Sequence, residues 1–308
     1  MTITTSSSSP ASHASPRRAL VLGGGGSTGN AWLIGVVAGL AEAGIDVTAP
    51  DLTIGTSAGS TAAAQLVAGT PHDLYAATLE APAQQGPSAS VRTGPRPSPQ
   101  PVVDHLDRMA RIIAASADAT EFRRRVCAAA LERDAASDGS FQEQWRATVA
   151  ARLPGARWPD RTVLITAVDA VTGEPVVFDR DSGVDLVDAV AASCASGLPY
   201  RIAGRPYLDG GYRANAENAD LAAGSDRVLV LSPFGGRALH PLEWGTHLAA
   251  QLDVLRAGGA RVETLAPSPD AEYMFGVHAM DPSLRAPAAR AGHDEGMARA
   301  GAIAELWG

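Results

Sequence analysis

Leu52-Thr53-Ile54-Gly55-Thr56-Ser57-Ala58-Gly59-Ser60-Thr61 runs from a short apolar stretch through a glycine-bracketed serine into an alanine-rich segment. Asp51–Ile54 reads as a strand, and Thr61–Ala68 reads as a helix ended by Gly69-Thr70-Pro71. Between them, Gly55-Thr56-Ser57-Ala58-Gly59 is a G-x-S-x-G turn. In a strand-to-helix setting such a turn exposes the serine hydroxyl, and glycines flank it because so tight a turn leaves no room for neighbouring side chains. A turn that only packs a helix onto a sheet leaves the same trace, so its surroundings must decide between the two.

Upstream, Ala19–Leu22 reads as a strand, Gly23–Gly29 as a glycine loop, and Ala31–Ala43 as a helix ended at Gly44. Consecutive glycines let backbone N–H groups converge on an anion, and the following helix adds its positive end. For acyl transfer the anion is a tetrahedral oxyanion. For a nucleotide it is a pyrophosphate, and Gly24-x-Gly26-x-x-Gly29 matches that fingerprint. The fingerprint also asks for an acidic residue at the end of the next strand, where this chain has Gly55-Thr56-Ser57. From Ala19 to Ala41 no residue is charged, and Arg17-Arg18 precede the stretch. Its central glycines and Ser27, Thr28 and Asn30 argue against a membrane span or an export signal, since they would leave backbone groups unsatisfied in lipid.

Downstream, Ala81–Pro101 is crowded with Pro, Gly, Ser and Gln and reads as an exposed loop, with Gln84–Pro101 a candidate lid. Val102–Leu153 carries helical periodicity. Strand and helix signals then alternate: Thr162–Val168 and Pro175–Phe178 around a turn at Thr172-Gly173, helical Leu186–Cys194, and a short strand Pro206–Leu208 running into Asp209-Gly210-Gly211. The pattern continues with strand Arg227–Leu231, helix His240–Ala257, strand Ala260–Leu265 and a terminal helical segment Leu284–Leu306. Alternation of this kind predicts an α/β sheet with helices on both faces. The glycine-rich strand ends at Gly23, Gly55 and Gly210 then open at one carboxyl edge, where ligand sites form. Met1–Pro16 is nearly all Ser, Thr, Ala and Pro and reads as a flexible tail. Residues 1–18 are expected to be disordered and 19–308 to form one domain, with a helical, Pro-rich insertion at about 71–160.

Composition narrows the chemistry. The 308 residues are 45% hydrophobic and 19% charged, with net charge −8, which repels nucleic acid and anionic membranes. All 25 basic residues are Arg. The absence of Lys excludes Schiff-base chemistry, a Ser-Lys dyad and a P-loop lysine. Cys127 and Cys194 are too few for a disulfide scaffold or zinc cluster and read as small apolar residues in a reducing compartment. Seven histidines (His13, His72, His105, His240, His247, His278, His293) offer bases for Ser57, but none sits in a loop signature that singles it out. Asp209, at a strand end before two glycines, is the better candidate, although Asp-Gly is also a common turn.

In this order, Gly24-Gly25-Gly26-Ser27-Thr28-Gly29, Gly55-Thr56-Ser57-Ala58-Gly59 and Asp209-Gly210-Gly211 resemble the motifs of the patatin-like phospholipases. Ala191-Ala192-Ser193-Cys194-Ala195-Ser196-Gly197-Leu198-Pro199 is similar to the family's segment before its Asp-Gly-Gly. The resemblance covers Ala19–Gly69 and Thr162–Leu231. It implies a three-layer α/β/α sandwich with a mostly parallel central sheet and a helical insertion. It also implies a serine acyl-hydrolase acting on lipid or other acyl esters, with Ser57 as nucleophile and Asp209 as general base and acid. Gly24, Gly25 and Gly26 would form the oxyanion hole, supported by Gly29, Gly55, Gly59, Gly210 and Gly211. Neither cofactor nor metal is implied, the expected location is cytoplasmic, and contact with membranes would be transient and made through apolar patches. One position departs from the pattern: the family usually carries Arg or Lys before the loop's last glycine, and this chain has Thr28. Arg201 or Arg205 is a candidate substitute. With the cation lost, the alternatives are a non-catalytic binding or scaffold protein of the same fold and a nucleotide-binding α/β protein.

Overall fold

The computed structural model describes residues 16–80, 100–153, 155 and 157–308. Strand β1 (Arg18–Leu22) leads through the glycine loop into helix α1 (Gly26–Glu42), and β2 (Leu52–Gly55) leads through the serine turn into α2 (Ala58–Ala68). Helices α3 (Pro71–Glu80), α4 (Gln100–Ala114), α5 (Ala119–Ala135) and α6 (Phe141–Arg152) precede β3 (Thr162–Asp169) and β4 (Pro175–Phe178). The chain continues through α7 (Leu186–Ser193), β5 (Tyr200–Ile202), β6 (Arg205–Asp209), β7 (Arg227–Leu231), α8 (Leu248–Ala257), β8 (Arg261–Leu265) and α9 (Arg285–Trp307). The strands form a mixed sheet in the order β5-β6-β3-β2-β1-β7-β8, with β4 also paired to β3. Its centre, from β3 to β8, is parallel, whereas β4 and β6 run antiparallel to β3.

Alternation along the central strands divides the core between the two faces. Leu20 and Leu22 of β1 and Leu229 and Leu231 of β7 pack with α1, α2, α7 and α9, while Ala19, Val21, Val228 and Val230 pack with α8 and Ala219–Ala222. Successive strand side chains point to opposite faces, so near-continuous apolar strands mean a sheet covered on both sides. Helices α4 and α5 make a smaller cluster over the β3–β6 end, where Met109, Phe122, Val126, Cys127 and Ala130 meet Val168 and Leu208.

The element types match the sequence reading, and the boundaries differ at informative places. Helix α1 starts at Gly26 rather than Ala31: the Gly29 N–H already donates to Gly25 O at 2.9 Å, and Ala279 O satisfies the Thr28 N–H. Helix α2 starts at Ala58 rather than Thr61, directly after the serine. The helix expected over His240–Ala257 is broken by Gly245, whose φ is +66°, so that only Leu248–Ala257 is α-helical. The strand before Asp-Gly-Gly begins at Arg205 and pairs with β5, a strand not anticipated. Arg17 and Arg18, expected in the tail, are already tied to the sheet: their N–H groups donate to Asp226 and Asp51 at 2.7 Å. Most of that tail, and residues 81–99 of the expected loop with its candidate lid, lie outside the described residues; Gln100 and Pro101 belong to α4.

The α1–α9 contact fixes the far end of the chain against the glycine loop. A Cβ on Gly35 or Gly39 would lie 2.0 or 2.2 Å from the carbonyl oxygens of Ala289 or His293. Reciprocally, a Cβ on Gly292 or Gly296 would lie 2.2 or 2.4 Å from those of Trp32 or Val36. Four glycines therefore bring two helix backbones into direct contact, and Gly301 of the same α9 faces open space. Gly292→Ala is expected to destabilise by about 2 kcal/mol or more through overpacking. Gly301→Ala should be neutral or add up to about 1 kcal/mol from helix propensity. Denaturant unfolding of the two variants beside the parent measures both.

Candidate active site

Ser57 sits between β2 and α2 with φ 51° and ψ −116°, a backbone conformation that a non-glycine residue holds only under constraint. The constraint can be traced atom by atom. The Thr56 N–H donates to Leu22 O at 3.1 Å and the Ser57 N–H to Ser193 Oγ at 2.9 Å. The Ser57 carbonyl accepts from Ser60 Oγ at 2.6 Å and from the Cys194 thiol at 3.1 Å. A Cβ on Gly59 would lie 1.9 Å from Leu22 O, so only glycine lets α2 start this close to the end of β1.

The turn points Ser57 Oγ at Asp209, to whose Oδ2 it donates at 2.8 Å. Strand register explains the meeting of two residues 152 positions apart in the chain. Strand β2 pairs with Thr162–Ile165 of β3, and β6 pairs antiparallel with Ala167–Asp169, just beyond it. Ile165 thus lies opposite Gly55, and Ala167, on the same strand, lies opposite Asp209. Asp209 is buried; its other oxygen accepts from Gly211 N–H at 2.8 Å, and its own N–H donates to Ala195 O at 3.0 Å. Burial pushes its pKa up to about 6, against the lowering effect of the bonds from Gly211 and Ser57. At neutral pH the carboxylate is charged, and its affinity for a proton is raised.

The glycine loop lies against this pair. A Cβ on Gly24 would come within 3.5 Å of Ser57 Cβ. The three expected anion donors are not equivalent. Gly24 N–H is already committed to Ala216 O at 2.8 Å, so it is not available to an oxyanion. Gly25 and Gly26 N–H groups have no acceptor among the described residues, and they stand at the start of α1. Gly26 holds φ +65° with Ala279 O where its Cβ would be, which accounts for glycine there.

Several supporting residues escaped the sequence reading. Asn218, buried and left-handed (φ 55°), donates to Thr56 Oγ1 and to Gly210 O, both at 3.0 Å, and so links the serine turn to the Asp-Gly-Gly turn. Ser193 and Cys194 bond the N–H and the carbonyl of Ser57, a role that the sequence does not mark. Buried Glu217 accepts from Ser232 Oγ at 2.6 Å, and its carboxyl pKa is raised by burial. The polar run Asn215-Ala216-Glu217-Asn218, close after Asp-Gly-Gly, was the available signal for two of these. Neither proposed substitute for the loop cation reaches the loop. Arg201 pairs with Asp134 and Arg205 with Asp169, because both lie on the β5–β6 hairpin, whose nearest carboxylates capture them. Thr28 is itself buried, with its N–H donating to Ala279 O at 3.0 Å. Among the described histidines, none bonds Ser57 or Asp209; His293, for one, pairs with Glu42.

Comparisons with known proteins bear on the family of the chain. Among solved structures, VipD from Legionella pneumophila aligns with a TM-score of 0.45 and 16% identity, over 94% of this chain and 67% of that one. The complex of full-length SpcU with full-length ExoU, from the type III secretion system of Pseudomonas aeruginosa, aligns at 0.41 and 16%, over 95% of this chain. The type III effector ExoU aligns at 0.44 and 18%, over 93%. This chain spans 53% of each of the last two matched chains. Likenesses this distant carry no argument by themselves. No curated protein matches. The patatin-like phospholipase sequence model matches residues 20–222, well over half of the chain. That match takes in the glycine loop, Ser57, Asp209 and Asn218, and the chain belongs to the patatin-like phospholipase family.

Proposed function

We propose that the protein is a lipid acyl hydrolase that cleaves acyl esters, glycerophospholipids foremost, by a Ser57–Asp209 dyad. The observation that carries this reading is the 2.8 Å bond from Ser57 Oγ to a buried carboxylate whose pKa is raised to about 6. Ser57 Oγ attacks the acyl carbonyl as its proton passes to Asp209 Oδ2. The carbonyl electrons move onto oxygen, and the N–H groups of Gly25 and Gly26 receive that oxyanion, aided by the positive end of α1. Collapse breaks the C–O bond, and Asp209 returns the proton to the leaving alcohol. Water then attacks the acyl-enzyme, giving its proton to Asp209, and the acid leaves as Ser57 is reprotonated.

An aspartate serves as the base because burial makes it more basic than an exposed one, and it needs no orienting carboxylate of the kind a histidine base takes in a triad. Beside the glycine loop stands an exposed apolar side chain that suits a lipid: Met280, 56% exposed, has its sulfur 3.1 Å from where a Gly26 Cβ would stand. No described helix is long and apolar enough to cross a membrane. Two free thiols, with pKa values pushed up by burial, fit the reducing cytoplasmic setting proposed.

The test is turnover of a short-chain glycerophospholipid kept below its micelle concentration, followed as acid release. Turnover is expected, and Asp209→Asn should reduce kcat by about 10³-fold or more, as loss of a triad member does elsewhere. Turnover retained by that variant would remove Asp209 as the base. In the wild type, kcat/KM should rise with pH on a limb centred near the Asp209 pKa of about 6, since only the carboxylate can take the serine proton. The stability effect has the opposite sign. The folded-state pKa lies above the ordinary aspartate value of 3.8, so the folded protein holds the proton more tightly and loses stability as pH rises between these values. Asp209→Asn is therefore expected to melt at or above the wild-type temperature at pH 7, and a clear fall in melting temperature would contradict the buried-charge account.

A further inference from the structure

The loop that presents Gly25 and Gly26 is framed by residues that lie outside the stretch matched to the family. Pro233 packs on it: a Cβ on Gly25 would lie 2.6 Å from Pro233 Cβ. Ala279 O receives the Thr28 N–H at 3.0 Å. At the first position of α9, Arg285 reaches across: Nη1 donates to Ser27 O at 2.8 Å and to Ser27 Oγ at 3.1 Å, and Nη2 to Asn30 Oδ1 at 3.4 Å. Ser27 directly follows Gly26, so the guanidinium holds the residue next to the loop's open donors.

The charge of Arg285 is left open. Among the described residues no carboxylate pairs with it, and its surroundings lower its pKa through burial and through repulsion from Arg152. A half-buried cation beside the positive end of a helix is unfavourable on its own, and an adjacent negative charge relieves it. The places where negative charge would develop are the two free N–H groups of Gly25 and Gly26.

We infer that Arg285, delivered from the C-terminal helix, is a positioning residue for the reaction: it clamps the glycine loop through Ser27 and keeps an uncompensated positive charge behind the oxyanion donors. This rests on the reading of Ser57 as the nucleophile. A cation is thereby supplied to the loop from a residue 258 positions beyond Ser27, and the close, glycine-mediated contact of α1 with α9 holds it in register.

The test uses the full chain and the same monomeric short-chain phospholipid. Arg285→Gln, which keeps a donor and loses the charge, is expected to lower kcat by about tenfold or more with KM within about twofold, the signature of an interaction felt mainly in the transition state. Arg285→Lys should retain most of kcat. For Arg285→Ala, millimolar guanidinium, far below denaturing concentration, should restore part of the lost kcat, whereas urea, of the same shape but neutral, should not. Gln and Lys variants of equal kcat would overturn the proposal, as would rescue by urea as well as guanidinium, or a rate loss that guanidinium leaves untouched. If Arg285→Ala does not fold, the Gln and Lys pair decides alone. A wild type without turnover would instead defeat the dyad reading, and this inference with it, so the two failures are told apart by the wild-type measurement.

Discussion

The start of α2 stands so close to the end of β1 that Gly59 has room for a hydrogen but not for a methyl group, which would sit 1.9 Å from Leu22 O. The rest of the site depends on that approach. To enter a helix so near its neighbour strand, the chain leaves β2 in one sharp step, and Ser57 takes the strained φ of 51°. The same step sends the hydroxyl over the carboxyl edge of the sheet, beside Gly24 on one hand and Asp209 on the other. Bonds from Thr56 to Leu22 and from Ser57 to Ser193, with Asn218 joining Thr56 to Gly210, hold the strained residue in place. Strain of order 1–3 kcal/mol persists only when the surroundings over-determine it, and here they do.

Stability and function pull against each other at Asp209. Burying a carboxylate with only two hydrogen-bond donors disfavours its charged form, which is why its pKa stands near 6. That penalty falls on the folded protein at neutral pH. It also raises the affinity of the carboxylate for the serine proton to a useful level. Glu217 shows the comparison: buried and with its pKa also raised, it accepts from Ser232 and not from Ser57. In the proposed mechanism, position relative to the serine is what separates Asp209, the base, from Glu217.

Much of this was legible in the sequence, because tight turns at strand ends require glycine and leave a readable mark. Gly55–Gly59, Gly23–Gly26 and Asp209-Gly210-Gly211 located the strand ends, and alternating apolar segments gave the sheet. What stayed hidden depends on contacts between distant parts of the chain. No local pattern shows that β6 runs antiparallel and pairs just past the end of β2, although this is what sets Asp209 opposite Ser57. In sequence Gly24 is equivalent to Gly25 and Gly26, whereas in the fold Ala216 O occupies its N–H. Arg201 and Arg205 were near Asp209 in sequence, yet Asp134 and Asp169 hold them, while Arg285, remote in sequence, reaches the loop. A charged residue's neighbours in sequence say little about which charge it will meet.

The central claim is that Ser57 is an activated nucleophile, and a fluorophosphonate ester probe tests it without any assumption about the natural lipid. Mapping the adduct by peptide mass spectrometry is predicted to find one phosphonyl group per chain, on Ser57. A folded protein that takes up no probe, or takes it up on another residue, would contradict the account.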